Sequence, residues 1–268
     1  MTSLRDLSVA YRKFGGSVQA LTGVTVDLPG EGIVGLLGRN GAGKTTLLRV
    51  LCGHESRYTG TVDVARPAMY AGDRWPHGYD QSLRSLMGHL ARVHPAYDKP
   101  RALELLEAFG VDPGQRSLSR GQLSAGLASL ALASRARVTL LDEPTLGLDA
   151  PSRALLAKAI VEEQGDHPRL IVLSTHLIDE CADLFERVLV LHEGRLVVDD
   201  DAEELRSAHV RVQGPVADLE GLPVVGPIER LGNQATGIVR RDDAPSHLRA
   251  VPVRLQELAS VLTEGAPS

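Results

Sequence analysis

Cysteine is nearly missing from this chain, which carries only Cys52 and Cys181. Both stand in apolar patterns of helical period, so buried free thiols are expected rather than a disulfide or a metal pair, as suits a reducing cytosol. Positive charge is not in excess: the formal net charge is −5 and the pI is near 6.0. That balance gives no bulk electrostatic pull toward nucleic acid, and no nucleic-acid partner is expected. No apolar run approaches the roughly 20 residues that cross a bilayer as a helix, and Met1 to Asp6 holds no apolar signal region. The chain itself is therefore expected to be soluble. Internal repeats and low-complexity tracts are also wanting, and the one charge run is Asp199-Asp200-Asp201. Asp201 with Glu204 spells a helix capping box, which accounts for those acids without a metal. The remainder is rich enough in apolar residues, 43% of 268, to bury a full core.

The most informative stretch is Gly38-Arg39-Asn40-Gly41-Ala42-Gly43-Lys44-Thr45, followed by Thr46 and preceded by the apolar run Ile33 to Leu37. A buried strand, a glycine-rich loop and a helix opening near Gly43 make a phosphate-binding loop. The glycines let successive backbone N–H groups turn toward phosphate oxygens, and the helix adds its positive end. Lys44 then reaches the β- and γ-phosphates, and the Thr45 hydroxyl is placed for the Mg²⁺ that nucleoside triphosphates carry.

Strand-like runs recur at 138–141, 170–173 and 188–191, separated by segments of helical period. This alternation predicts a mainly parallel sheet covered by helices. One helix opens at Asp149-Ala150-Pro151, and another is expected after His176, carrying Leu177, Ile178 and Cys181. The alternating stretch Leu4 to Val26, with Gly60 to Val64, predicts a small antiparallel β-layer, and Leu83 to Ala108 predicts helices of an inserted lobe. From about Ser207 short β-like pieces are broken by Gly and Pro, and a closing helix repeats Leu255, Leu258 and Leu262.

The run ending at Leu141 leads into Asp142-Glu143-Pro144, which sets two carboxylates at the C-terminal end of a parallel strand, where α/β proteins bind ligands. Phosphoryl transfer uses such a pair, one acid for Mg²⁺ and one to orient and deprotonate water. Between loop and acids lies Leu118-Ser119-Arg120-Gly121-Gln122, opening an apolar helix. Hydroxyl, backbone N–H groups and helix N-terminus converge there on a second anion cradle. One nucleotide does not need two cradles, so the second is expected to serve a partner subunit.

Taken in order, these motifs resemble the nucleotide-binding subunit of an ATP-binding cassette (ABC) transporter over about Leu4 to Asp200. The phosphate loop, Gly38 to Thr45, is similar to Walker A; Leu118 to Gln122 to the signature; and Val138 to Asp142 to Walker B with the catalytic acid Glu143. Gly147-Leu148-Asp149 resembles the D-loop and His176 the switch histidine. Tyr11 matches the ring that stacks on adenine, although Phe14 lies close enough for either to serve. The resemblance implies a P-loop NTPase core with β-layer and helical lobe (about 74–134) within an ABC ATPase domain 1–205, then a small accessory region 206–268. It implies ATP and Mg²⁺, a head-to-tail pair of cassettes, transmembrane permease subunits as partners, and a place on the inner face of the cell membrane. Ser119, Gly121 and Gln122 would then touch nucleotide held by the other cassette.

Two departures stand out. The family's glutamine between β-layer and lobe is replaced by Asp73, an oxygen ligand for Mg²⁺ that donates no hydrogen bond while ionised. Arg120 stands where glycine is commonest, which, with His94 to Asp98 and Val253 to Leu262, resembles cassettes serving ABC-2 membrane partners, often exporters. The expectation is thus an ATPase powering transport, with export the expected direction. Its alternatives are a soluble ABC ATPase of nucleic-acid maintenance or translation, and an ATP-binding switch with little turnover. The segment Asp73 to Ala91, with Trp75, Tyr79, Leu83, Leu86 and Met87, is expected to line a groove for the membrane subunit unless it packs inside the lobe.

Overall fold

The computed structural model describes residues 1–13, 16–72, 82–176 and 181–264. Its centre is a six-stranded sheet of β3 (Gly32–Leu37), β5 (Ala68–Ala71), β6 (Val138–Asp142), β7 (Leu170–Thr175), β8 (Arg187–His192) and β9 (Arg195–Asp201), in the order β5-β6-β7-β3-β8-β9. The first five are parallel, and β9 returns antiparallel along the edge. Parallel strands need both faces covered. Accordingly β3, β6 and β7 are buried along their whole lengths.

The period of two along β3 divides the core. Ile33 and Leu37 face one cluster with helical partners, while Val34 and Leu36 face another with the β-layer. Gly35 lies on the first face because any Cβ there would sit 2.7 Å from the Phe185 ring. The β-layer consists of β1 (Thr2–Lys13), β2 (Gly16–Leu28) and β4 (Thr59–Asp63), antiparallel in the order β2-β1-β4. Leu4, Leu7, Leu21 and Leu28 of this layer are fully buried against helix α1 (Lys44–Cys52) and the sheet. Gly53 ends α1 in a left-handed turn, its N–H returned to the carbonyls of Arg49 and Val50.

On the other face lies the helical lobe, α2 (Leu83–Val93), α3 (Lys99–Ala108) and α4 (Arg120–Ala133). Every residue of α4 from Ser124 to Ala133 is buried, as its all-round apolar sequence demands. Leu83, Leu86 and Met87 are buried in the main core that the lobe shares with the central sheet, which leaves them no part in an exposed docking groove. Trp75 and Tyr79 lie outside the described residues, as does Asp73. Helix α5 (Ala150–Asp166) begins with Asp149 accepting the Ser152 N–H and Pro151 in its first turn. Of the helix expected after His176, Leu177 and Ile178 fall outside the described residues, and Cys181 stands in a turn before the short 3₁₀ segment Ala182–Leu184. Cys181 is buried and Cys52 half-buried, neither is in a disulfide, and burial pushes the Cys52 thiol up.

Beyond β9, α6 (Ala202–Ser207) starts on Asp201, whose carboxylate accepts the N–H groups of Glu203 and Glu204. A second sheet follows, of β10 (His209–Pro215), β11 (Val224–Leu231), β12 (Gln234–Arg240) and β13 (Arg249–Pro252), antiparallel in the order β11-β12-β10-β13. With α7 (Val216–Leu219) it closes a small core of its own around Val210, Val212, Leu219 and Val239. The last helix, α8 (Leu255–Glu264), instead joins the main core through Leu255, Leu258 and Ala259. Its Val261 packs so closely on Gly226 that a Cβ there would lie 2.1 Å from Cγ1.

Candidate functional site

Parallel pairing in the order β6-β7-β3 brings three strand ends to one edge: Leu37 pairs with Thr175, and Asp142 with Ser174. The loop Gly38–Gly43, the acids after β6 and His176 after β7 therefore meet although far apart in sequence. Within the loop, a Cβ on Gly38 would fall 2.4 Å from the Leu191 carbonyl oxygen, and one on Gly43 2.6 Å from that of Ala20. These two glycines let the loop seat tightly on its surroundings. Gly41, at φ 86°, faces open space. Gly43 adopts a left-handed conformation, and its carbonyl accepts the Leu47 N–H to start α1.

Lys44 is buried, and its Nζ donates to the carbonyls of Gly38 (2.7 Å) and Arg39 (3.4 Å). It also lies 3.4 Å from Glu143 Oε1. Glu143 sits at φ 50°, a left-handed backbone that non-glycine residues seldom take, and its N–H is held by both the carbonyl and the Oγ of Ser174, each at 3.1 Å. Glu143 Oε2 is 2.8 Å from His176 Nδ1, so the acid bridges the lysine and the histidine. Its Oε1 is buried without a hydrogen-bond partner. Asp142, 5% exposed, accepts from Ser174 Oγ at 2.6 Å and from the Tyr70 hydroxyl at 2.9 Å. Burial, and then the neighbouring Asp142 carboxylate, push the Tyr70 phenol upward.

A cavity of about 320 Å³ is lined by Tyr11, Val18, Gln19, Ala20, Glu143 and the run Asn40 to Thr46. It thus gathers Tyr11, Asn40, Gly41, Ala42, Gly43, Lys44, Thr45 and Thr46 in one wall system. Gly38 and Arg39 border a separate cavity of about 170 Å³ with His176 and with Gln256, Ala259, Ser260 and Thr263 of α8. Nothing in the spacing of Leu255, Leu258 and Leu262 foretold that this helix reaches the phosphate loop. Ser119, Gly121 and Gln122 line neither cavity. Ser119 caps α4 by accepting the Gln122 N–H at 3.2 Å, and the Ser119 N–H in turn donates to Gln122 Oε1 at 3.0 Å. Gly121 lies against the Gly147 backbone, where a Cβ would be 2.3 Å from the carbonyl oxygen.

The donors fit a small hard cation bound together with phosphate. Asp142 and Thr45 offer oxygen only, Glu143 Oε1 is buried with the Lys44 ammonium as its ion-pair partner and no hydrogen bond, and no group of three or more His, Cys, Asp or Glu among the described residues makes an all-protein metal cage. Magnesium commonly takes one or two carboxylates and completes its shell with substrate phosphates and water.

A glycine loop on a buried lysine, facing a strand-end acid pair, defines a P-loop nucleoside triphosphatase. The family profile described as ABC transporter matches residues 21–146. An aliphatic sulfonates import ATP-binding protein of Xanthomonas axonopodis pv. citri (strain 306) is 31% identical over 84% of this chain and 77% of its own length. The ABC transporter ATP-binding protein YtrB of Bacillus subtilis (strain 168) is 29% identical over 80% of this chain and 76% of its own. Among solved structures, an ATP-binding subunit of an ABC transporter superposes with a TM-score of 0.63 at 25% identity, covering 77% of this chain and 92% of that one. A dimeric ATP-binding cassette in a post-hydrolysis state, bound to ADP and phosphate, superposes with a TM-score of 0.64 at 20% identity, covering 75% and 99%, and shares the fold. The chain belongs to the ABC transporter family. It is an ATP-binding subunit of that family and an ATPase working with ATP and Mg²⁺.

Proposed function

We propose that this chain energises transport through separate transmembrane subunits, acting as one of two paired cassettes on the inner face of the cell membrane. Among its described residues no helix is long and apolar enough to cross a membrane, and this reading assigns the permeation path to other chains. The observation that carries the reading is the junction of Lys44, Glu143 and His176 beside the phosphate loop.

In this reading Gly38 to Thr46 cradle the triphosphate, Lys44 neutralises its β- and γ-oxygens, and Tyr11 packs against the base at the far end of the cavity. Mg²⁺, when bound, supplies electrostatic stabilisation of phosphate charge. Thr45 and Asp142 hold it, Asp73 faces the same task from outside the described residues, and Glu143 with His176 orients the attacking water. Ser119, Gly121 and Gln122 stand away from their own loop's cavity, which supports a role on nucleotide bound by the second cassette. Residues 1–205 form the ATPase domain and 206–268 the accessory region. Export, expected from Arg120 and the ABC-2 resemblance, receives no support from the relatives, whose names include import proteins. Import is the direction those names favour.

Purification from membranes tests this reading. A transmembrane protein should copurify, and ATP-dependent uptake into inverted vesicles would distinguish export from import. Recovery as a free chain only, with turnover unaffected by membranes, would overturn it.

A further inference from the structure

We propose that Ser174 is a positioning residue for both acids of the site, and that Tyr70 positions Asp142 alone. The inference rests on reading Asp142 as the metal-holding acid and Glu143 as the acid that orients water.

Ser174 is fully buried on β7, in register with Asp142 on the neighbouring strand. Its hydroxyl has one proton, and that proton is directed to Asp142 Oδ1 at 2.6 Å. A lone pair of the same oxygen is thereby left for the Glu143 N–H at 3.1 Å. The result is a directional chain from the Glu143 backbone through the Ser174 hydroxyl to the Asp142 carboxylate. Glu143 needs such a hold, because its φ of 50° is a conformation that L-residues keep only when their surroundings impose it. The Tyr70 hydroxyl, at 2.9 Å, takes the other oxygen of Asp142 and is flanked by Arg49 of the phosphate-loop helix.

Neutral hydroxyls thus fix the plane of the carboxylate from both sides. No ion pair to Asp142 occurs among the described residues, so its charge is not spent on a protein cation. Hydroxyl donors aim a metal-holding acid while leaving its remaining lone pairs for the cation. Tyr70 makes no hydrogen bond to Glu143, and this difference separates the two residues experimentally.

The test uses the full chain, with its copurified membrane subunits for turnover, and the variants Tyr70→Phe, Ser174→Ala and Ser174→Thr, with Asp142→Asn as control. Manganese bound together with a non-hydrolysable ATP analogue is followed by electron paramagnetic resonance, and kcat and KM are measured at limiting and saturating Mg²⁺. Tyr70→Phe and Ser174→Ala should each weaken manganese binding by about tenfold, within the range for outer partners of metal ligands. Saturating Mg²⁺ should then restore kcat in Tyr70→Phe but leave Ser174→Ala lower by about tenfold, because the Glu143 N–H keeps only the Ser174 carbonyl of its two acceptors. Ser174→Thr, which keeps the hydroxyl, should recover most of both. If Ser174→Ala does not fold, Ser174→Cys, with its weaker donor, takes its place. Parental manganese affinity in both hydroxyl variants alongside loss in Asp142→Asn would overturn the positioning of Asp142. Full kcat for Ser174→Ala at saturating Mg²⁺ would overturn that of Glu143. Parental manganese affinity in Asp142→Asn would instead show that the underlying reading of Asp142 is wrong, and the inference would fall with it.

Discussion

His176 Nδ1 and Glu143 Oε2 stand 2.8 Å apart, joining the ends of β7 and β6. A carboxylate only accepts, so the imidazole carries a proton on Nδ1 in this pair. Lys44 holds the other oxygen of the same acid at 3.4 Å. The three groups form one chain whose members are expected to fail in different ways.

Glu143→Gln should keep ATP binding and lower turnover about a hundredfold or more, since the amide no longer takes up a proton. Lys44→Ala should weaken ATP binding itself, because the buried ammonium is the cation set among the loop carbonyls. Equilibrium binding of a fluorescent ATP analogue beside phosphate release separates the two. Equal loss of binding in both variants would contradict this division.

Gly121→Ala should uncouple the N-terminus of α4 from the segment at Gly147. The added methyl would meet a backbone oxygen at 2.3 Å, which no rotamer change relieves. A cost of about 1–3 kcal/mol is expected, as for other overpacked sites. Chemical denaturation measures it, and an unchanged midpoint would show that the two loops separate freely.

The cavity that α8 shares with the phosphate loop predicts a signal. With Cys52 and Cys181 replaced by serine, an environment-sensitive fluorophore on Ser260→Cys should respond to ATP, because Ser260 borders the cavity shared with Gly38 and Arg39. The same label on Leu231→Cys, at an exposed site, should not respond. A silent label at position 260 under saturating ATP would place the helix outside the nucleotide's influence.

Glu163 is 3% exposed and bridges Arg101 at 3.0 Å and Arg169 at 3.3 Å. Arg169 is itself buried, and desolvation pushes its guanidinium pKa down while Glu163 opposes the shift. Glu163→Gln should therefore destabilise the fold by about 3 kcal/mol, the usual cost of leaving a buried charge without its partner. Urea unfolding of the variant reads this directly, and a change below about 1 kcal/mol would mean that the carbonyls around Arg169 suffice.

What could be read in the chain was local. The glycines of 38–43 follow a buried strand directly, and Asp142 and Glu143 are adjacent at a strand end, so each motif carries its geometry within a few residues. The same holds for the Asp201 cap and for the all-round apolar face of α4. The packing of Leu83, Leu86 and Met87 was ambiguous because an amphipathic stripe looks alike whether it faces a core or a partner. Asp73 lies outside the described residues, so its place beside the metal stays with the proposal.

The candidate residues for phosphate, metal and water could be named from sequence alone, because loop curvature and helix start depend on neighbours along the chain. Which of them touch was decided by the strand order β5-β6-β7-β3, which no local pattern encodes. Parallel pairing aligns strand ends, and so Tyr70, Asp142 and Ser174, from three separate segments, share one hydrogen-bonded cluster. The same long-range packing brings α8, the last helix of the described chain, to the cavity that the first glycine of the phosphate loop also borders, because its apolar face is buried in the main core.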